Sequence, residues 1–153
     1  MKRVIWIVFG VALILTCLSV QGYFWFTNIR SEEVAKDRVR MLSWYLGEKI
    51  GLDKRFPPIL GDDDFVQNRK DNKERIKDLM IDPATGMRFI YRVKTPSGET
   101  ILHSLDNADR FILWSPEPNY GGKRLVLLNN LGIYTVRETS LDFTNQRVLR
   151  WEK

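Results

Sequence analysis

The residues of this chain that could do chemistry are few, and their spacing works against them. The single histidine, His103, sits between Leu102 and Ser104, the place of a structural or surface residue on a strand. With no second histidine there is no two-histidine metal site and no proton shuttle. The single cysteine, Cys17, lies inside a long apolar run with no base near it, and reads as a small apolar residue. The stretch Ile14-Leu15-Thr16-Cys17 has the look of a lipoprotein signal, but Thr16 fits such sites poorly and apolar residues continue beyond Cys17. A lone cysteine forms no intrachain disulfide. Asp62, Asp63 and Asp64 are consecutive, whereas a calcium loop alternates its ligands, so they read as a solvated turn. Gly121-Gly122 follows Pro118-Asn119-Tyr120 without a strand-to-helix phosphate loop around it and also reads as a turn. The expectation is a non-enzyme with no catalytic, metal or cofactor-binding residues and no small-molecule substrate.

Charge narrows the partners further. The 153 residues carry 24 Lys and Arg against 19 Asp and Glu, a formal net charge of +5. The signs are interspersed rather than blocked, and no basic stripe alternates with aromatics, so a nucleic-acid partner is not expected. Residues 69–78 (RKDNKERIKD) read as a solvated helix or loop. Arg30, Lys36, Arg38 and Arg40 read as a solvated face, with contact to lipid phosphates as the alternative.

These groups must be positioned by a mixed set of elements. From Val4 to Phe26 no charged residue occurs, a 23-residue run that would make about 34 Å of helix, enough for a hydrocarbon core of roughly 30 Å. Trp6, Tyr23 and Trp25 lie toward its ends, where aromatic rings favour a membrane interface. The run outlasts the 7–15 apolar residues of a cleaved secretory signal, so a retained single-pass anchor is expected. The short basic start, Lys2-Arg3, predicts an inside N-terminus and an extracytoplasmic C-terminal domain in the cell membrane. Beyond the run, Ala35, Val39, Leu42, Leu46 and Ile50 are spaced 4, 3, 4 and 4 and form one helical stripe. The spacing predicts one helix over 4–50, with Gly51 as its C-cap and Pro57-Pro58 forbidding continuation. A short helix over 73–81 follows. Phe89, Tyr91 and Val93 alternate with Ile90, Arg92 and Lys94 as a half-buried strand, and 101–105 and 110–114 read as two more. Residues 125–128 and 133–136 flank Asn129-Asn130-Leu131-Gly132 as a hairpin, and Thr139 or Ser140 caps a last short helix carrying Leu141, Phe143 and Val148. The expected organisation is an anchor over 1–27, an amphipathic helix over 28–56 and a small antiparallel-sheet domain over 57–153: an α+β fold.

This order of parts resembles type IV pilin-like proteins, especially the pseudopilins of type II secretion systems. Met41-Leu42-Ser43-Trp44-Tyr45-Leu46 through Phe56-Pro57-Pro58 resembles the end of the pilin helix and its exit. Asp82-Pro83-Ala84-Thr85-Gly86-Met87-Arg88-Phe89-Ile90-Tyr91 is similar to the segment that opens the pseudopilin sheet. The run from Ile112 to Leu128, with Gly121-Gly122-Lys123-Arg124 leading into a strand, is similar to the C-terminal signature of bacterial prepilin-associated families. The chain departs from them at its start: Gly10 is followed by Val11 and the apolar run holds no glutamate, so the prepilin cleavage motif is lacking. The resemblance implies a long helix laid on a small antiparallel sheet. It also implies a non-catalytic scaffold or accessory subunit of a membrane complex, contacting other membrane proteins and the lipid bilayer. The alternative is a membrane-tethered module that binds an anionic polymer or lipid surface. Tyr120, Lys123 and Arg124, beside the glycine pair, are the expected partner contacts, since aromatic and arginine side chains anchor interfaces.

Overall fold

The computed structural model describes residues 2–67 and 73–151, leaving aside the side chains of 2–15, 24–26, 28 and 67. Helix α1 runs unbroken over Lys2–Lys49, 48 residues. Its second half is amphipathic in the way the spacing requires. Ala35, Val39, Leu42 and Leu46 are wholly buried, Tyr45 is buried beside them, and Ile50 packs at their edge. Away from the core, Lys36 pairs with Glu32 one turn back at 2.7 Å, supporting the exposed face.

The stripe is covered by a four-stranded antiparallel sheet in the order β3-β4-β5-β6. Its strands are β3 (Ile90–Tyr91), β4 (Phe111–Trp114), β5 (Lys123–Leu128) and β6 (Ile133–Arg137). Ahead of it lie a separate hairpin, β1 (Phe65–Gln67) with β2 (Lys73–Arg75), and the single turn α2 (Ile76–Leu79). After it comes a last hairpin, β7 (Leu141–Asp142) with β8 (Arg147–Val148). The sheet is buried on both faces. Leu113, Leu125 and Leu127 meet the α1 stripe, while Phe111, Trp114, Val126, Leu128 and Val136 meet Leu141, Phe143 and Val148 of the final hairpin. A register shift between Phe111 and Leu113 turns the adjacent Ile112 and Leu113 into the same helix-side core. This accounts for β4 reading as continuous apolar sequence rather than as alternation.

The β5–β6 hairpin shows how sheet and helix are locked. Its positive φ falls on Leu131, at 67°, not on the following glycine. A leucine in this region is strained by about 1–2 kcal/mol. Its side chain packs against the helix-side core, and a Cβ placed on Gly47 would meet its Cδ1 at 3.3 Å. Leu131 therefore seats over a notch in α1 that glycine provides, and that burial offsets the strain. Gly132 answers a different need, since a Cβ there would fall 2.7 Å from the Tyr134 ring.

Several expectations are corrected. Among the described residues no helix is long and apolar enough to cross a membrane, which overturns the single-pass anchor over 1–27. The described side chains of α1 begin at Thr16, include Ser19 and Gln21, and from Arg30 onward carry a charge every one to three residues as far as Arg40. The membrane localisation and the extracytoplasmic placement rested on that anchor and fall with it. Of the aromatic residues read as interface anchors, Tyr23 is 68% exposed, and the side chains of Trp6 and Trp25 lie outside the described residues. Part of the 69–78 segment also lies outside them. Residues 101–105 form no strand of their own and join the fold through one isolated bridge, Arg55 to Leu102, and single backbone hydrogen bonds such as Ile101 N–H to Val93 O at 2.9 Å. The short helix expected over 73–81 is confined to the single turn α2, with β2 taking the residues before it, and the last helix is replaced by a 3-10 turn, Glu138–Ser140, leading into the β7–β8 hairpin. Gly51 does not adopt a left-handed cap; the positive φ falls on Lys54, at 58°, in the turn beyond the helix that Lys54 N–H closes onto Gly51 O at 3.0 Å.

Replacing Leu42 by Asp places an unpaired charge in the wholly buried stripe. It is expected to destabilise the domain by at least about 3 kcal/mol, read as a loss of the cooperative thermal transition.

Candidate functional site

The segment read as a partner contact turns inward instead. Tyr120 and Lys123 exchange backbone hydrogen bonds, Tyr120 N–H to Lys123 O at 3.1 Å and Lys123 N–H to Tyr120 O at 3.2 Å. That closes a tight reversal whose two central residues are Gly121 at φ 64° and Gly122 at φ 77°. Positive φ at both glycines matches the sequence expectation, but it makes the glycines the tip and sends the tyrosine back into the protein. Tyr120 is buried, and its hydroxyl donates to Asp82 Oδ1. Burial first, and then this bond to the carboxylate, push the phenol pKa far above its ordinary value.

Asp82 is wholly buried and opens a turn closed by Gly86 N–H to Asp82 O at 2.8 Å and Asp82 N–H to Met87 O at 2.8 Å. Its Oδ1 also accepts the Ala84 N–H at 2.9 Å. Arg38 of α1 reaches the same turn, donating from Nη1 to Ile81 O at 2.6 Å and Asp78 O at 3.3 Å. The Asp-Pro turn, the glycine-pair turn and the helix are thus tied at one point. Arg124 is equally committed. Only 11% of its side chain is exposed; it pairs with Glu138, donates from Nη1 to Ser115 O at 2.8 Å, and lies 5.3 Å over the Phe143 ring. Lys123 is half-buried. Tyr120 and Arg124 are therefore structural ties and not exposed partner contacts, because the turn geometry and the unmet needs of Asp82 and Glu138 draw them in.

The other residues singled out for chemistry stay apart. His103 donates its backbone N–H to Lys54 O at 2.8 Å and sets its ring edge-on to Phe56, with centroids 6.1 Å apart. Cys17 is exposed on α1. Asp62 pairs with Arg88 at 2.5 Å, while Asp64 accepts the hydroxyl of Tyr45. Among the described residues no group of three or more His, Cys, Asp or Glu side chains gathers as metal ligands.

One surface feature was not foreseen. A groove of about 360 Å³ lies between α1 and the β1–β2 hairpin, lined by Trp44, Tyr45, Glu48, Phe65, Val66 and Lys73. Trp44 is 43% exposed and Phe65 51% exposed. The cations of Lys49 and Arg75 sit over rings here, 5.4 Å from the Tyr45 centroid and 5.6 Å from the Phe65 centroid. Position 44 lies just off the buried stripe, which is the one signal the sequence offered. The pairing of β1 with β2 that completes the groove left no such trace. No family model matches this chain, and neither a curated protein nor a solved structure matches it.

Two outcomes follow from these ties. Tyr120→Phe removes a donor from a buried carboxylate and is expected to lower stability by about 1–3 kcal/mol, measured by denaturant midpoint. The Tyr45 hydroxyl is pushed up from 10.0 to about 12 by burial and by Asp64. The unfolded chain releases that proton near its ordinary value, so the native state binds more protons between the two. The stability it contributes is therefore intact below about pH 10 and is lost as pH rises through about 12. The melting midpoint should fall over that range, and less steeply in Tyr45→Phe.

Proposed function

We propose that this chain is a non-catalytic scaffold or accessory subunit, pilin-like in layout, whose long helix and small sheet offer surfaces to other protein subunits. The observation that carries this reading is the division of α1. From Ala35 onward its stripe is consumed by the domain's own core. Upstream, Leu18, Val20, Tyr23, Ile29 and Val34 all stand exposed on the same continuous helix. A helix that shows apolar side chains to solvent gains roughly 1.5–3 kcal/mol for each large one that a partner covers. Within the folded domain Asp82, Tyr120 and Arg124 serve as structural ties.

The test is recovery of the full chain from its own cells under mild conditions, followed by measurement of stoichiometry. A fixed-ratio complex is expected, and Val20→Ser with Tyr23→Ser should reduce partner recovery without moving the melting midpoint. A chain that purifies alone as a monomer overturns the reading.

A further inference from the structure

We propose that the groove between α1 and the β1–β2 hairpin receives an acidic peptide segment with an apolar anchor residue, supplied by a partner protein. This deepens the scaffold reading and rests on it. The walls are aromatic: Trp44 from the helix and Phe65 from β1 are both about half exposed. Rigid rings of this kind bind an inserted side chain with little loss of conformational freedom. The volume, about 360 Å³, falls at the low end of the roughly 300–1,000 Å³ typical of binding pockets, enough for an anchor and its neighbours.

Charge selects the rest of the occupant. Lys49, Lys73 and Arg75 surround the rings, and among the described residues none of them has a carboxylate partner. Elsewhere the fold does pair its cations, as Lys36 with Glu32, Arg88 with Asp62, Arg110 with Glu99 and Arg124 with Glu138. Against these three cations the lining holds one carboxylate, Glu48. Glu74, between Lys73 and Arg75 on β2, stands across from Val66, whereas Lys73 and Arg75 stand across from Gln67 and Phe65. A guanidinium or ammonium already resting on a ring keeps its outer side for a carboxylate, so the anchor and the charge are read side by side. Among the described residues the β1–β2 hairpin is a sheet of its own, paired with no other strand. An extended segment lying along it finds main-chain hydrogen-bonding partners.

The experiment titrates the full chain into fluorescein-labelled synthetic peptides of equal length and follows anisotropy. The three peptides alternate Glu with Leu, Glu with Ser, and Lys with Leu. The Glu–Leu peptide should bind at least tenfold tighter than either control and weaken with added salt. Lys73→Glu combined with Arg75→Glu should reduce that affinity at least tenfold, and so should Phe65→Ala, each with an unchanged circular dichroism spectrum. Equal binding of the three peptides, or full affinity in the charge-reversed variant, overturns the proposal. If the charge-reversed chain still assembles its native complex, the groove assignment fails while the scaffold reading stands. If Glu–Leu binds as expected but the wild-type chain has no complex in cells, the scaffold reading fails instead.

Discussion

Four side chains on one stripe of α1, Ala35, Val39, Leu42 and Leu46, have no exposed surface, and covering them dictates where the other elements lie. A sheet whose central strands are apolar on both sides cannot rest on a helix and leave its other face wet. The β7–β8 hairpin therefore closes over Phe111, Trp114, Val126 and Leu128, and the domain becomes three layers deep despite its small size. The seat of Leu131 over Gly47 helps fix the sheet's position along the helix, because a Cβ at position 47 would crowd the Leu131 side chain.

So little of the chain is in regular strands that buried polar side chains must hold the loops. Asn129 donates from Nδ2 to Leu102 O at 3.1 Å and Asn107 O at 3.0 Å, pinning the 102–107 loop to the β5–β6 turn. Gln146, in the tip of the last hairpin, donates from Nε2 to Arg92 O at 3.0 Å and Phe111 O at 2.9 Å, joining that hairpin to the sheet. Ser115 caps the start of the glycine-pair loop, donating to Glu117 O at 3.0 Å and accepting the Leu125 N–H at 3.1 Å. Each group satisfies backbone that an apolar residue of the same size would leave unpaired.

These features explain what could be read in advance. The helical stripe was legible because a 3.6-residue period is local, and the Phe89/Tyr91/Val93 alternation and the β5–β6 hairpin were legible for the same reason. The burial of Tyr120 and Arg124 was not, since it depends on Asp82 and Glu138, which lie 38 and 14 residues away in sequence. A polar residue beside a glycine pair looks like a tip until its partner is known. The membrane span was read from the length of the uncharged apolar run and the aromatic residues toward its ends, and among the described residues no helix meets the need. Residues 101–105 had strand composition but meet their neighbours through one bridge and single hydrogen bonds, and composition does not distinguish a ladder from one rung.

The unbroken course of α1 has a mechanical consequence. At 1.5 Å per residue its 48 residues make a rod of about 72 Å, and among the described residues its packing against the domain runs from Ala35 toward the C-terminal end. A load on the free end travels through the helix as axial tension and arrives at the stripe as shear, spread over Val39, Leu42 and Leu46 together. Strands unzipping from an edge give way one hydrogen bond at a time, but a sheared apolar stripe with Leu131 keyed into Gly47 must slide as a unit. Pulling the helix along its axis would therefore have to break these contacts together, whereas peeling a strand edge breaks them in turn.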